Sequence, residues 1–328
     1  MEGFPFPLHR STLRSMRMPP LVTPSIQSKD RIQQAVALAK DDKPAYEQLY
    51  PFLEGLFMLQ AAVRESIRPV PPVLDPARLR TQREAGFPMI GRWEFPLDLD
   101  GAELILKEVE AYLPADNTLL RVAHGELSKV VVESRDQREE LWRGFLQHDW
   151  EPWEEWFKVE DVDLASLIFL ARACLRPSLE KTADGLLEKL PVTDDWGRGY
   201  CPVCGSLPSL LILEGEGARR CCCSWCGALW PVPRFLCPEC DNRDHASLGY
   251  LAVEAEPHYH VQYCELCRAY FKQIDVRERL YPPLLPLEEL TTLHLDLLAQ
   301  GAGWRQPPSP SPVVYGRDSR RFEGEKPD

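Results

Sequence analysis

The chain of 328 residues lacks the features that mark membrane and secreted proteins. No stretch reaches the roughly 18 consecutive apolar residues of a membrane-spanning helix. The first 28 residues contain arginines and prolines, but no run of about seven or more apolar residues follows these charges, unlike in a secretory signal peptide. These absences predict a cytoplasmic protein without direct insertion into a membrane.

Motifs of common enzyme classes are missing as well. The sequence has no P-loop, no Gly-x-Ser-x-Gly elbow and no glycine fingerprint of a dinucleotide-binding fold. We therefore expect a protein that is not an enzyme.

Basic residues are scarcer than acidic ones. The chain has 38 Lys and Arg against 50 Asp and Glu, a formal net charge of -12. Because nucleic-acid backbones are bound mainly by clustered Lys and Arg, this balance disfavours a nucleic-acid partner. A zinc-ribbon nucleic-acid-binding protein stays a weaker alternative, since acidic residues also outnumber basic ones between Tyr200 and Leu280.

Cysteine, by contrast, is abundant, and its spacing is the strongest signal. Of 11 cysteines, all except Cys174 lie between Cys201 and Cys267. In a chain without an export signal, repeated C-x-x-C pairs are typical of reduced thiolates that hold metal rather than of disulfides. The four pairs are Cys201/Cys204, Cys223/Cys226, Cys237/Cys240 and Cys264/Cys267.

The order of these pairs favours two sequential tetrahedral sites. An interleaved arrangement, in which the first pair meets the third or the fourth, stays open. Zinc and iron both accept four thiolates, and a closed site of this kind leaves no coordination position for hydrolysis. The predicted metal ligands are Cys201, Cys204, Cys223 and Cys226 in one site and Cys237, Cys240, Cys264 and Cys267 in the other.

Residues next to the pairs have more than one interpretation. Gly205 and Gly227 follow the first two pairs, where a positive φ turns backbone amides toward the sulfurs, and the last two pairs lack this glycine. Cys221 and Cys222 are expected to be strand residues, one facing in and one facing out. The alternative is a spare thiol for ligand exchange or redox chemistry.

Three histidines, His245, His258 and His260, lie between the third and fourth pairs. They are expected to be solvated, because eight cysteines already complete two tetrahedra; a mixed Cys/His site is the alternative. Cys174 lies on an apolar helix face and is expected in the core.

The first half of the chain has apolar residues at helical spacing. The pattern runs from about residue 30 to residue 190 and predicts six or seven amphipathic helices in a bundle. Its last two helices are predicted at Leu164–Leu175 and Ser178–Leu190, separated by Pro177. Together with the strand signals that follow, this predicts an α+β fold.

After Asp194 the composition changes to glycines and short apolar segments, which indicate strands and turns. The predicted strands are Ser209–Leu213, Leu248–Val253 and Tyr259–Tyr263. Leucines between Leu287 and Leu298 predict one closing helix. The predicted domains are a disordered N-terminal segment (1–28), a helical domain (29–192), two rubredoxin-like metal modules (193–232 and 233–284), a C-terminal helix (285–304) and a disordered tail (305–328).

Together with landmarks elsewhere in the chain, the cysteine pairs resemble the formate dehydrogenase accessory protein family, FdhE. The resemblance covers about residues 30 to 305, and the usual Asn-Pro-Phe-rich ending of the family is replaced here by a proline-rich charged tail. The landmarks besides the four pairs are Gly86-Phe87-Pro88, Arg176-Pro177, Trp196, Gly205-Ser206, Arg219, Arg220, Trp230, Leu295–Ala299 and Gly303-Trp304-Arg305.

The resemblance implies a cytoplasmic maturation factor for formate dehydrogenase, with a helical domain and two rubredoxin-like modules. It implies iron as the cofactor, two ions per chain, with zinc as the alternative, and the catalytic subunit of formate dehydrogenase as the partner. A stand-alone rubredoxin-like electron carrier is the alternative function, and neither pattern nor resemblance indicates an oligomeric state.

Overall fold

The computed structural model describes residues 28–67, 74–132, 135–147, 162–189, 196–253 and 256–307. Helices and a sheet are both present, which confirms the predicted α+β class. The predicted disordered segments fall almost wholly outside these residues and stay predictions. In the part of the chain described, no helix is both long enough and apolar enough to cross a bilayer.

The helical part has α2 at its centre, packed against α1, α4 and α7. Tyr50 begins α2 and is fully buried, and its hydroxyl donates to the carbonyls of Ala39 and Lys43 at 2.7 and 2.9 Å. These carbonyls lie at the end of α1 and already accept backbone amides, Ala39 from Lys43 at 2.8 Å and Lys43 from Tyr46 at 3.2 Å. The Tyr50 hydroxyl therefore adds a second hydrogen bond to each and joins the two helices. The helices are α1 (Lys29–Asp42), α2 (Tyr50–Ser66), α3 (Pro76–Glu84), α4 (Leu99–Val109), α5 (Thr118–Val132), α6 (Arg135–Gln147) and α7 (Leu164–Lys189).

The predicted break at Pro177 is wrong, because α7 runs through it. Proline has no backbone N–H, so the carbonyl of Ala173, four residues earlier, loses its helical donor. The side-chain amide of Gln60 on α2 donates to this carbonyl at 2.7 Å. A neighbouring helix thus supplies the hydrogen bond that the sequence of α7 cannot.

Replacing Gln60 with leucine should therefore lower the free energy of unfolding by about 1–3 kcal/mol, because the buried Ala173 carbonyl loses the side-chain amide that takes the place of its helical donor. In a Pro177→Ala background the backbone N–H returns, and the same replacement should cost clearly less. Denaturant unfolding of the four proteins in this double-mutant cycle tests the coupling. Strictly additive effects would contradict it.

The cysteine-rich half builds one six-stranded sheet, in the order β3-β2-β1-β6-β5-β4. The central pair, β1 and β6, is parallel, and all other neighbours are antiparallel. β1, β4 and β5 lie where strands were predicted, and β2 contains Cys221 and Cys222, which were expected on a strand, whereas β3 and β6 were not predicted. The strands are β1 (Pro208–Glu214), β2 (Ala218–Cys223), β3 (Leu229–Val232), β4 (Leu248–Ala252), β5 (Tyr259–Cys264) and β6 (Tyr270–Asp275).

The two halves of this sheet repeat one unit, which we call a ribbon. In each ribbon a cysteine pair precedes the first strand, the second strand returns antiparallel, and another cysteine pair leads to the third strand. The first ribbon comprises β1–β3 and the second β4–β6. Both ribbons share the sheet through the β1–β6 pairing, so neither is a free-standing module.

The C-terminal segment forms two helices, α8 (Leu285–Leu290) and α9 (Leu293–Gly301), where one was predicted. Thr292 leaves the helical region with φ of -129° and ψ of 28°. The hydroxyls of Thr291 and Thr292 donate to the carbonyls of Leu287 and Glu288 at 2.8 and 2.7 Å. Threonine side chains that bond nearby backbone compete with helix continuation, and two in succession end α8 here.

Candidate metal centres

The sheet brings the cysteine pairs together two by two. Because the strands of a hairpin run in opposite directions, the start of the first strand lies beside the end of the second. Pro208 at the start of β1 faces Cys223 at the end of β2, and Leu248 at the start of β4 faces Cys264 at the end of β5. Each ribbon therefore gathers its own two pairs at one end.

The first cluster comprises Cys201, Cys204, Cys223 and Cys226, and all four residues are buried. The sulfurs of Cys201 and Cys226 are 3.7 Å apart, and those of Cys204 and Cys223 are 3.5 Å apart. All four sulfurs lie within 4.8 Å of one another.

The second cluster comprises Cys237, Cys240, Cys264 and Cys267. The sulfurs of Cys237 and Cys267 are 3.6 Å apart, and those of Cys240 and Cys264 are 3.7 Å apart. Cys237 and Cys264 are buried, whereas Cys267 is half-buried and Cys240 is exposed. In both clusters the sulfurs group sequentially rather than in the interleaved arrangement.

The sulfur geometry fits a tetrahedral metal site. Four sulfurs at about 2.3 Å from a central zinc or iron lie about 3.8 Å from one another. The close sulfur pairs of the two clusters, 3.5 to 3.7 Å apart, agree with this spacing. Each cluster could therefore hold one metal ion, and the spacing suits zinc and iron alike.

Backbone amides point at the sulfurs, as expected for metal-binding turns. The amides two and three residues after Cys223 donate to its sulfur at 3.3 and 3.4 Å. The same two positions after Cys237 donate to that sulfur. Such dipoles stabilise the negative charge of thiolates.

All four turns contain a residue with positive φ. Gly205 and Gly227, which follow the first two pairs, have φ of 77° and 71°. Asp241 and Arg268, which follow the last two pairs, have φ of 58° and 63°. Asp tolerates this conformation better than most residues. Arg268 is held in place by stacking, with its guanidinium 3.9 Å from the centre of the Trp304 ring.

Cys221 and Cys222 lie on β2, but the expectation that one faces solvent is wrong. Both are buried, because each face of the sheet is covered: Cys221 belongs to the core shared with the helices, and Cys222 packs among residues that include Leu285 and Leu295. Burial raises the pKa of Cys221 to about 12 and that of Cys222 above its usual range. Neutral thiols in this position behave as core residues, as does the buried Cys174.

The histidines do not join the clusters. His245 is largely exposed beside Asp244, whereas His258 and His260 are half-buried. Burial lowers the pKa of His260, so its ring is neutral near pH 7. The prediction of solvated histidines thus holds fully for His245 only.

Cations near the sulfurs were not identified as site residues from the sequence. Arg92 donates to the Ser206 hydroxyl at 2.8 Å, and this oxygen lies 3.2 Å from the sulfur of Cys204. Arg305 donates to the Cys267 carbonyl at 3.0 Å. Four thiolates around a divalent cation carry excess negative charge, which nearby cations offset. Arg92 is far from the pairs in sequence, and no local pattern connects it with them.

Arg219 on β2 is a buried cation placed between the ribbons. Its guanidinium donates to the carbonyls of Arg234 and Leu236 at 2.8 and 3.1 Å and to the side chain of Gln262. Among the ion pairs of the described residues none involves Arg219, and burial lowers its pKa. It ties the first ribbon to the segment that leads into Cys237.

A close backbone approach also fixes the two clusters relative to each other. Gly199, just before the first pair, lies against Pro238 of the third pair, and a Cβ at Gly199 would come within 2.1 Å of the Pro238 carbonyl oxygen. The neighbouring Arg198 carbonyl accepts from the Trp230 indole at 3.0 Å. Only glycine fits this contact without a shift of the backbone.

Comparison with known proteins gives consistent matches. The FdhE homolog of Pseudomonas aeruginosa is 29% identical over 268 residues, 78% of this chain and 80% of that protein. The FdhE homolog of Aquifex aeolicus is 38% identical over 114 residues, 33% of this chain but only 40% of that protein. No protein-family model matches the chain.

A solved structure shares the fold. The crystal structure of the FdhE protein from Pseudomonas aeruginosa superposes with a TM-score of 0.61 and 25% sequence identity. The match covers 85% of this chain and 94% of that one, so it includes most of the helical part as well as the sheet.

Proposed function

Since this chain belongs to the FdhE family, we propose that it is a formate dehydrogenase accessory protein whose two four-cysteine clusters hold metal ions. The observation that carries the proposal is the pair of sulfur clusters, built by repeated ribbons in a fold shared with an FdhE protein. The sulfur spacings and the amides directed at the sulfurs support metal binding.

The proposed ligands are the eight paired cysteines, four to each rubredoxin-like ribbon. Iron, two ions per chain, is the proposed metal, and zinc is the alternative. A bound ion would supply folding free energy to its ribbon, and iron would also add one-electron chemistry. A closed tetrathiolate site has no free coordination position, which supports a role other than catalysis.

The proposed partner is the catalytic subunit of formate dehydrogenase, bound through or beside the metal ribbons. None of the 11 cysteines forms a disulfide, which suits a reducing compartment such as the cytoplasm. The second cluster supports the ribbons as a contact region, because Cys240 and Leu266, which precedes Cys267, are both exposed.

Affinity capture tests this function. The full chain, purified without air and used as bait in a native extract, should recover the catalytic subunit of formate dehydrogenase. Elemental analysis of the same bait should give two metal ions per chain, with thiolate-to-iron absorption bands if the metal is iron. A folded, metal-loaded bait that recovers no formate dehydrogenase subunit would contradict the partner, whereas a metal-free bait would contradict the metal sites.

A stand-alone electron carrier is the second candidate. The exposed Cys240 favours it, because electron exchange requires a metal centre near the surface. A measured reduction potential with fast exchange to a small redox partner would support this candidate. Two zinc ions per chain would rule it out, since zinc has no redox chemistry in proteins.

A further inference from the structure

The two clusters have the same ligands but different access to solvent. Every cysteine of the first cluster is buried, at 3% exposure or less. In the second cluster Cys240 is exposed and Cys267 is half-buried. Incoming ligands can therefore reach the second cluster directly but not the first.

The first cluster is closed by the helical part of the protein. Phe145 on α6 stacks on Trp225, within the second cysteine pair, with ring centres 5.3 Å apart. The guanidinium of Arg92 lies 5.3 Å from the centre of the same Trp225 ring. The backbone amides of Met89 and Ile90 donate to the first cysteine pair, to the carbonyls of residues 202 and 203 at 2.8 and 3.1 Å. Opening this cluster requires the helices to separate from the first ribbon.

The second cluster is covered by much less of the chain. Leu266, at the tip of its last turn, is 70% exposed. The segment that ends the described chain contacts this cluster through Arg305, which donates to the Cys267 carbonyl at 3.0 Å and to Glu239 at 2.5 Å. Asp241, next to Cys240, is exposed as well. Pro238 lies against Gly199 and Cys237 is buried in the core, so the accessible part of this cluster is Cys240 together with the turn that carries Leu266 and Cys267.

Ligand exchange at a tetrathiolate centre needs a sulfur to detach and an incoming donor to approach, so its rate depends on access. We propose that the second cluster is an exchangeable metal site, which takes up and releases a thiophilic transition-metal ion. The first cluster is a structural site, which retains its ion and stabilises the contact between the first ribbon and the helices. This inference rests on the proposed metal binding of both clusters. It assigns to identical ligand sets two different roles.

Chelator kinetics on the full chain test the inference. The protein is loaded with Zn²⁺, freed of excess metal and shown to hold two ions, and a chelating zinc-sensitive dye is added in large excess at constant pH, so that the dye both binds and reports each released ion. Release should be biphasic, with one ion lost at least about tenfold faster than the other because of its access. In Cys240→Ser the slow phase should keep its rate and amplitude, with an unchanged far-UV circular dichroism spectrum.

A matched variant addresses the first cluster. Phe145→Leu removes the aromatic ring that stacks on Trp225. It should speed the slow phase of zinc release and leave the fast phase unchanged. Iodoacetamide added to the zinc-loaded protein should label the peptide with Cys237 and Cys240 before any peptide with Cys201 or Cys204, as mass spectrometry can show.

Several results would overturn the inference. Release of both ions in one phase, loss of the slow phase in Cys240→Ser, or first labelling at Cys201 or Cys204 would each show that access does not separate the clusters. A chain that binds no zinc before the chelator is added would instead refute the metal sites themselves, and this inference with them.

Discussion

Replacing Cys201 and Cys204 together with serine is expected to remove one metal ion per chain and to unfold the first ribbon. A structural zinc contributes about 10 kcal/mol or more of folding free energy through its thiolates. The first ribbon also packs against the helices and pairs with β6, but the loss of a contribution this large is expected to exceed what these contacts supply. Elemental analysis and circular dichroism measure the two losses, and capture of the formate dehydrogenase subunit should fail as well.

A control for this variant is Cys222→Ala, which removes a buried thiol from β2 of the same ribbon but outside both clusters. It should keep both metal ions and lose little stability. Full metal occupancy in the Cys201/Cys204 double variant would show that the ligand assignment is wrong. A loss of metal in Cys222→Ala would make Cys222 a ligand.

Replacing Glu288 with glutamine should lower the free energy of unfolding by about 3–5 kcal/mol, because it leaves buried cations without a counter-ion. The Glu288 carboxylate accepts from Lys43 at 2.7 Å, from Arg279 at 2.5 Å and from the Tyr259 hydroxyl at 2.8 Å. This network joins the end of α1 to the second ribbon and to α8. Denaturant unfolding of wild type and variant measures the difference.

The same network makes part of the stability depend on pH. Burial alone would raise the pKa of Glu288, but Lys43 and Arg279 hold it below its ordinary value of 4.5. A carboxylate with a lowered folded-state pKa stabilises the fold above its unfolded pKa and loses this effect as pH falls through the folded pKa. The stability gap between wild type and Glu288→Gln should therefore be full at neutral pH and shrink below about pH 4.5.

Glu108→Gln is the matched control for this charge change. Glu108 is exposed and lies 3.8 Å from an exposed Lys107. A surface pair of this kind contributes at most about 1 kcal/mol, so the variant should unfold almost like the wild type. Equal losses in Glu108→Gln and Glu288→Gln would contradict the role of the buried network.

The sequence predicted those elements whose signal is local. The C-x-x-C spacing indicated which sulfurs share a cluster, because two pairs in a hairpin of this length meet at one end. The glycines after Cys204 and Cys226 indicated the turns with positive φ. The helical pattern placed the start of the helix after Asp163 at Leu164, where α7 begins.

The predictions that were wrong concern residues whose structure depends on contacts with distant parts of the chain. Pro177 was expected to end a helix, and the residue that prevents this, Gln60, lies more than 100 positions earlier. The burial of Cys222 depends on α8 and α9, which cover a sheet face that strand alternation alone assigns to solvent. The contact of Arg92 with Ser206 depends likewise on the packing of distant segments.

The central pairing of the sheet also sets an order of assembly. β1 and β6 pair in parallel although about sixty residues separate Leu210 from its partner Lys272. During synthesis the first ribbon can complete its cysteine cluster while its β1 edge still lacks a partner, and pairings between distant segments form slowly. The unpaired backbone groups of an exposed edge strand can pair with strands of other chains and so cause aggregation. A nascent chain is thus most prone to aggregate with other chains after β3 has folded and before β6 has been synthesised.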